Sequence, residues 1–413
     1  MGWENLAVEA GEAMQHLQLL LPGESTRSAR LTCRGWATLQ PVTVTVRLPG
    51  DVWRSGKLEG YNKCLGRTRP ASHLNIYDKG GYEWPTDLEA LLVEPRCSGI
   101  TVDLDLNLAA GFVLEVVQRV PQLQNPGSGL WLDRLHGYTD FSPSLRALVS
   151  DLKCSKFGIT LAERWGEGDG ADFDLELLQC LRGLHQLRTL RIGNLRVSVD
   201  TLHPADRGTD CMLLRSSVMR EVGLFHWLTW LSLPGITTTS SRPEAKLALP
   251  FTGMTALRRL DLSVHGWTRE FRPDAPFTNF DLRDLPPSLR SLNLSGTDCD
   301  IRGIGDIPAL SGLHELRLSL MPVGSIELPL EDLVKLRGLR VLILWGSRNV
   351  PADRSPLYQL APQLDMLNLN DTGPRTELED TADAVAFCAH GLTQRGDPMW
   401  PDLNRLLPIF ERV

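Results

Sequence analysis

At 413 residues, with 42% hydrophobic and 23% charged side chains, the chain has the apolar content for a sizeable core and is too balanced in composition to stay mostly disordered. A formal net charge of -7 argues against general affinity for nucleic acid or an anionic membrane, which requires clustered excess Lys and Arg. Nothing approaches 18 consecutive apolar residues, so no transmembrane helix is expected, and residues 1–14 lack the basic and apolar segments of a secretory signal. The eight cysteines are scattered, with no Cys-x-x-Cys pair, which fits free thiols in a reducing compartment better than a zinc site or a disulfide framework. The expected location is the cytoplasm, with the nucleus or a ciliary axoneme as alternatives.

Residues 1–39 carry Leu6, Ala10, Ala13, Met14, Leu17 and Leu20 at spacings of three and four, which predicts a helix with one apolar face. Pro22-Gly23 ends it, and Glu24-Ser25-Thr26 can cap a second helix running to Trp36. The period then changes to two. Pro41–Leu48 predicts a strand, as does Ile100–Asn107, where Val102, Leu104 and Leu106 alternate with polar residues. Weaker runs follow at Leu130–Leu132 and Leu145–Leu148, whereas 49–99 and 160–172 give no assignable element.

From Leu187 onward one phrase, Leu-x-x-Leu-x-Leu, recurs seven times, beginning at Leu187, Leu228, Leu257, Leu289, Leu313, Leu339 and Leu364. Successive copies are 41, 29, 32, 24, 26 and 25 residues apart, and repeats of about 20–29 residues mark a solenoid in which each coil supplies one strand. Two copies are lengthened, and Asp200–Val222 and Thr237–Pro243 are expected to project as loops. The last two leucines of each phrase lie two apart on a strand and point inward, while the residues beside them point out. Outward positions that could anchor a partner are Trp230, Arg259, Asp261, Asn293, Glu315, Arg317, Ile343, Trp345, Met366 and Asn368. Three residues beyond the last leucine, Thr297, Ser347 and Thr372 can bond backbone, whereas Met321 cannot. Arg188, Arg258, Arg290 and Arg340 share the place after the first leucine; a phosphate-tracking ladder and a solvated edge row are both open readings. Beyond the repeats, Glu377–Gln394 and Pro401–Leu407 carry helical patterns that predict a terminal cap.

The repeat region resembles the leucine-rich-repeat superfamily over about 181–372. The resemblance implies an α/β solenoid, a horseshoe with a parallel concave sheet and a protein ligand. The segment Leu19–Trp36, through "ARLTCRGW", resembles the F-box. That resemblance implies a substrate receptor of a ubiquitin ligase, with Leu20, Pro22, Leu31 and Trp36 docking the adaptor. The domains are thus read as 1–39 F-box-like module, 40–160 degenerate repeats, 161–375 repeat array and 376–413 cap. The competing reading is a cytoskeletal or ciliary scaffold.

No Gly-x-Ser-x-Gly elbow, Walker loop or His-Glu-x-x-His occurs, so no enzyme, cofactor or metal is expected. The expected partners are a protein on the concave face and a ligase adaptor at the N-terminal module. The sequons Asn293-Leu-Ser295 and Asn370-Asp-Thr372 fall on expected strands and read as chance matches.

Overall fold

The structure is a computed structural model. It describes residues 44–48, 72–77, 100–105, 128–135, 149, 152–161, 170–197, 201–204, 212–238, 246–264, 279–297, 299–320, 327–369, 372, 387–389, 392–395 and 409–412. The residues expected to dock an adaptor, Leu20, Pro22, Leu31 and Trp36, lie outside the described residues, as does Met321. The chain divides into two compact units, one of 1–138 with 142–159 and one of 139–141 with 160–413.

In the first unit, β1 (Val44–Leu48), β2 (Ser72–Tyr77), β3 (Ile100–Asp105) and β4 (Gly129–Leu135) pair in parallel, in sequence order. Their register sets Val46 beside Leu74, Leu74 beside Val102 and Val102 beside Leu130. The strands β1, β3 and β4 occupy three of the alternating runs, while β2 falls within 49–99, where no element is assignable from sequence. Next along the chain is β5 (Lys156–Leu161), in which Phe157 and Ile159 are buried.

The second unit is an α/β solenoid-like stack. Helix α1 (Gly170–Leu181) is followed by β6 (Thr189–Gly193), β7 (Arg196–Val197), β8 (Thr201–Pro204), β9 (Met212–Arg215) and α2 (Ser217–Gly223). Then come β10 (Trp230–Ser232), β11 (Thr237–Thr238), β12 (Lys246–Ala248), β13 (Arg259–Asp261), β14 (Asn279–Asp281), β15 (Ser291–Asn293) and β16 (Glu315–Arg317). The last elements are α3 (Leu330–Val334), β17 (Val341–Ile343), α4 (Ser355–Leu360), β18 (Met366–Asn368), β19 (Leu392–Arg395) and β20 (Ile409–Arg412).

Each leucine phrase contributes one strand to a parallel sheet in the order β6-β10-β13-β15-β16-β17-β18. The register stacks Leu190, Leu231, Leu260, Leu292, Leu316, Leu342 and Leu367 in one continuous row, and all are buried. Each such leucine stabilises the fold by roughly 1.5–3 kcal/mol relative to exposure. The helices between strands add to the same core. In α2 the Ser216 hydroxyl caps the helix by accepting from Val218 N at 3.2 Å, and Val218, Met219 and Val222 are buried.

The coils join in one repeated way. The carbonyls of Arg188, Thr229, Arg258, Arg290, His314 and Arg340 each accept two backbone amides from the following coil. Three of the four ladder arginines add a second link. Arg258, Arg290 and Arg340 donate from Nη1 to the carbonyls of Ser288, Gly312 and Gln363 at 2.9, 2.7 and 2.7 Å, each just ahead of the next coil's first leucine. Arg188 bonds His185 O within its own coil. The arginine row therefore stitches backbone rather than presenting a charge track.

After β6, β10, β15, β16 and β17 the chain turns sharply, and Asn194, Gly235, Gly296, Leu320 and Gly346 have positive φ. At Gly296 a Cβ would stand 2.1 Å from Val264 O, so only glycine fits this coil contact. Three residues beyond the last leucine of their phrases, the Thr297 and Thr372 hydroxyls donate to Leu294 O and Leu369 O, each at 2.7 Å, and Ser347 donates to Leu318 O. These are the backbone bonds that the sequence led us to expect.

Two expectations are corrected. The described parts of Asp200–Val222 are regular elements and not loop: they form β8, β9 and α2, and β9 joins β12 and β14 in a second sheet of order β14-β12-β9-β8. Thr237–Thr238, in the other expected loop, pairs with β7. In the described parts of these long coils, backbone groups pair within the coil, as β8 does with β9, and with equivalent segments of neighbouring coils, as β9 does with β12 and β7 with β11. The helical cap expected through Gln394 also stops short. Gly391 disfavours helix continuation, and Leu392–Arg395 instead pairs antiparallel with β20, which pairs antiparallel with β18.

Candidate protein-recognition face

The side of the main sheet opposite the leucine row carries two outward rows fixed by strand register. The first runs Thr189, Trp230, Arg259, Ser291, Glu315, Val341, Met366; the second runs Arg191, Ser232, Asp261, Asn293, Arg317, Ile343, Asn368. Nine of the expected anchors therefore share one face, and Trp345 follows two residues after Ile343. Trp230 is 39% exposed and Trp345 47%. Arg259 and Arg317 are exposed, while Asp261, Asn293, Glu315, Ile343, Met366 and Asn368 are half-buried. Pointing outward does not guarantee access: Thr189 and Ser232 are buried.

The centre of the face is closed by its own hydrogen bonds. Asp261 Oδ2 accepts from Ser232 Oγ at 2.9 Å, and its Oδ1 accepts from Asn293 Nδ2 at 2.9 Å and Ser263 N at 3.0 Å. Asn293 Oδ1 in turn accepts from Ser295 N at 3.1 Å and Ser295 Oγ at 2.6 Å. Glu315 accepts from Ser291 Oγ at 2.9 Å on one oxygen and from Arg317 Nε at 2.6 Å on the other. Asn293 is thus a structural strut with both ends of its amide engaged.

The flanks differ. Toward the C-terminal strands, Val341, Ile343 and Met366 are half-exposed and Trp345 stands clear. Leu320 joins them: its amide donates to Trp345 O at 2.7 Å, its side chain is 38% exposed, and it holds φ 53. The sequence pattern passed over Leu320 because the phrase places it one residue beyond the outward positions. Toward β6, Trp230 lies between Thr189 and Arg259, and Arg191 lies opposite Ser232. Of the four exposed large hydrophobic side chains among the described residues, Leu224, Trp230, Leu320 and Trp345, all but Leu224 belong to this face or its rim.

A second feature lies on the smaller sheet, where Leu213, Lys246, Phe280, Asp281, Asp300 and Ile304 help line a cleft of about 440 Å³. Two identical Asp-x-Arg clips border it. Asp281 accepts from Arg283 N at 3.1 Å and from its Nη2 at 2.7 Å; Asp300 accepts from Arg302 N at 3.0 Å and from its Nη2 at 2.9 Å. Lys246 Nζ adds a 3.3 Å contact to Asp300. Burial alone would raise the Asp300 carboxyl, but the Arg302 hydrogen bonds and the Lys246 and Arg302 charges outweigh it and bring the pKa down to about 2. Beneath the clips, burial pushes the Cys299 thiol up to about 12, which makes it inert as a nucleophile. Closed ion pairs of this kind brace the sheet and leave no free acid or base for catalysis in the clips.

Among the described residues no group of three or more His, Cys, Asp or Glu is placed to hold a metal ion, and no helix is long and apolar enough to cross a membrane. The described cysteines, Cys154, Cys180, Cys299 and Cys388, form no disulfide. No family model matches the chain, and no curated protein matches it. Among solved structures, it is similar to a chain of the Toll–Spatzle complex, described as a molecular hub in Drosophila development and innate immunity, with 15% identity and a TM-score of 0.26. That likeness covers 80% of this chain and 54% of the other, so the chain spans about half that length.

Proposed function

We propose that the chain is a protein-interaction module of the leucine-rich-repeat type whose recognition surface is the outward face of the main sheet. The observation that supports this is the set of bare anchors, Trp230, Leu320 and Trp345, beside a centre whose polar groups bond one another. Aromatic and Arg side chains on a rigid sheet are favoured anchors because burying them releases water at little entropic cost. On the resemblance of Leu19–Trp36 to the F-box, we read the partner as the target of a ubiquitin ligase in the cytoplasm, with Leu20, Pro22, Leu31 and Trp36 docking the adaptor. A cytoskeletal or ciliary scaffold is the competing reading.

One experiment separates these readings: affinity purification of the full chain, a form lacking 1–39, and the variants Trp345→Ser and Trp230→Ala, with partner identification. The face reading expects a partner kept by the form lacking 1–39 and lost with Trp345→Ser or Trp230→Ala. The ligase reading expects adaptor subunits that vanish with 1–39. An adaptor that persists without 1–39, or none at all, ends the ligase reading, and filament proteins in its place favour a scaffold. A partner indifferent to both tryptophans ends the face reading.

A further inference from the structure

We infer that the β6–β13 flank of this face binds an acidic segment of the partner protein, gripped by Arg191 and Arg259 on either side of Trp230. The inference rests on the reading of the face as a protein-binding surface and adds the chemistry of what is bound. Its basis is an imbalance of charge pairing. Both oxygens of Asp261 and both of Glu315 are already occupied by donors from the protein itself. Among the described residues, by contrast, the Arg259 guanidinium has no hydrogen-bond or ion-pair partner, its backbone amide alone being engaged, with Thr229 O, and Arg191 Nε is buried without one. The acids of the face are quenched and two of its cations are not. An unpartnered buried guanidinium nitrogen carries a desolvation cost that a carboxylate relieves.

The spacing suits an extended chain. Arg259 is level with Trp230 and Arg191 is level with Ser232 on the other side of β10. Adjacent strands are about 4.8 Å apart and residues advance about 3.3 Å, so the two arginine Cα atoms are separated diagonally by roughly 12 Å. In an extended segment, carboxylates four residues apart span about the same distance. The side chain midway between them then falls over the exposed indole of Trp230. The kind of partner that fits is a segment with Asp or Glu at positions i and i+4 and an apolar or aromatic residue at i+2.

The test is selection of a random 16-residue peptide display library on the immobilised full chain, followed by binding of the enriched peptides to the wild type and to Arg259→Glu, Arg259→Gln, Arg191→Gln, Trp230→Ala and Trp345→Ser. Arg259 is exposed and unpaired, so its variants are expected to melt with the wild type. The inference expects an excess of Asp and Glu over the starting library, affinity that falls as salt rises, and a loss of at least about tenfold on Arg259→Glu. A smaller loss is expected on Arg259→Gln and Arg191→Gln. Peptides without acidic excess, or peptides indifferent to Arg259→Glu, overturn it, as does a selection that enriches nothing. Peptides lost on Trp345→Ser but unmoved by Arg259→Glu leave the binding face standing and end only the acidic segment. Peptides unmoved by any of these substitutions or by Trp230→Ala end both.

Discussion

The centre and the flanks of the outward face share one backbone. From β13 to β16 and from β16 to β18 the strands are three residues long, parallel and in the same register over the same leucine row. Yet the centre is sealed by Asp261, Asn293 and Glu315 bonding their neighbours, while Trp230 at one side and Ile343, Trp345 and Met366 at the other meet solvent. The difference lies wholly in the side chains at outward positions. A repeat backbone thus separates two tasks: inward residues decide whether the coils stack, and outward residues decide whether a surface is spent on itself or left for something else.

Substitutions can sharpen or break this division. The largest effect is expected at Leu292, which is fully buried in the central row: Leu292→Ala should cost about 2–5 kcal/mol of stability by denaturant unfolding. A loss below about 1 kcal/mol would mean that the row does not carry the centre. Asp261→Ala should come next. It strands the buried Ser232 hydroxyl and the Asn293 amide, at about 1–3 kcal/mol, and unchanged stability would show that the central network is surface decoration.

Asp300 supplies a control away from the face. Its folded pKa of about 2 lies below the ordinary value near 3.9, so its contribution is present above about pH 4 and is lost as pH falls through about 2. The wild type should therefore lose stability more steeply than Asp300→Asn between about pH 4 and 2 in acid unfolding, and parallel curves would refute the clip. The smallest effect on stability, within about 0.5 kcal/mol, is expected for Trp345→Ser, which removes a side chain that is 47% exposed. A large destabilisation there would reveal Trp345 as packing and erase the contrast between centre and flank.

The parts of this architecture that were readable in sequence are those in which one residue type reports its own environment. Leu260, Leu292 and their equivalents mark the row because burial selects leucine there, and Thr297, Ser347 and Thr372 mark the turn because their hydroxyls reach a carbonyl three residues back or in the preceding coil. The second sheet was not readable: Lys246-Leu-Ala248 and Asn279-Phe-Asp281 are too short for a period to emerge. The acceptors of Arg258, Arg290 and Arg340 are backbone carbonyls 30, 22 and 23 residues onward, and a carbonyl carries no sequence signal. Leu320 was hidden for a different reason. Its left-handed backbone costs a residue with a Cβ roughly 1–2 kcal/mol, and three of its counterparts are glycine, so no pattern directs attention to a leucine there.

The double acceptance by Arg188, Thr229, Arg258, Arg290, His314 and Arg340 carbonyls makes every joint between these coils chemically the same, whatever side chain sits at it. A coil can then be duplicated or excised in frame and leave matching joints on both sides. Chain length becomes a heritable dial on binding breadth, turned one strand at a time, with each new coil arriving already compatible with its neighbours and free to diverge only where it faces outward.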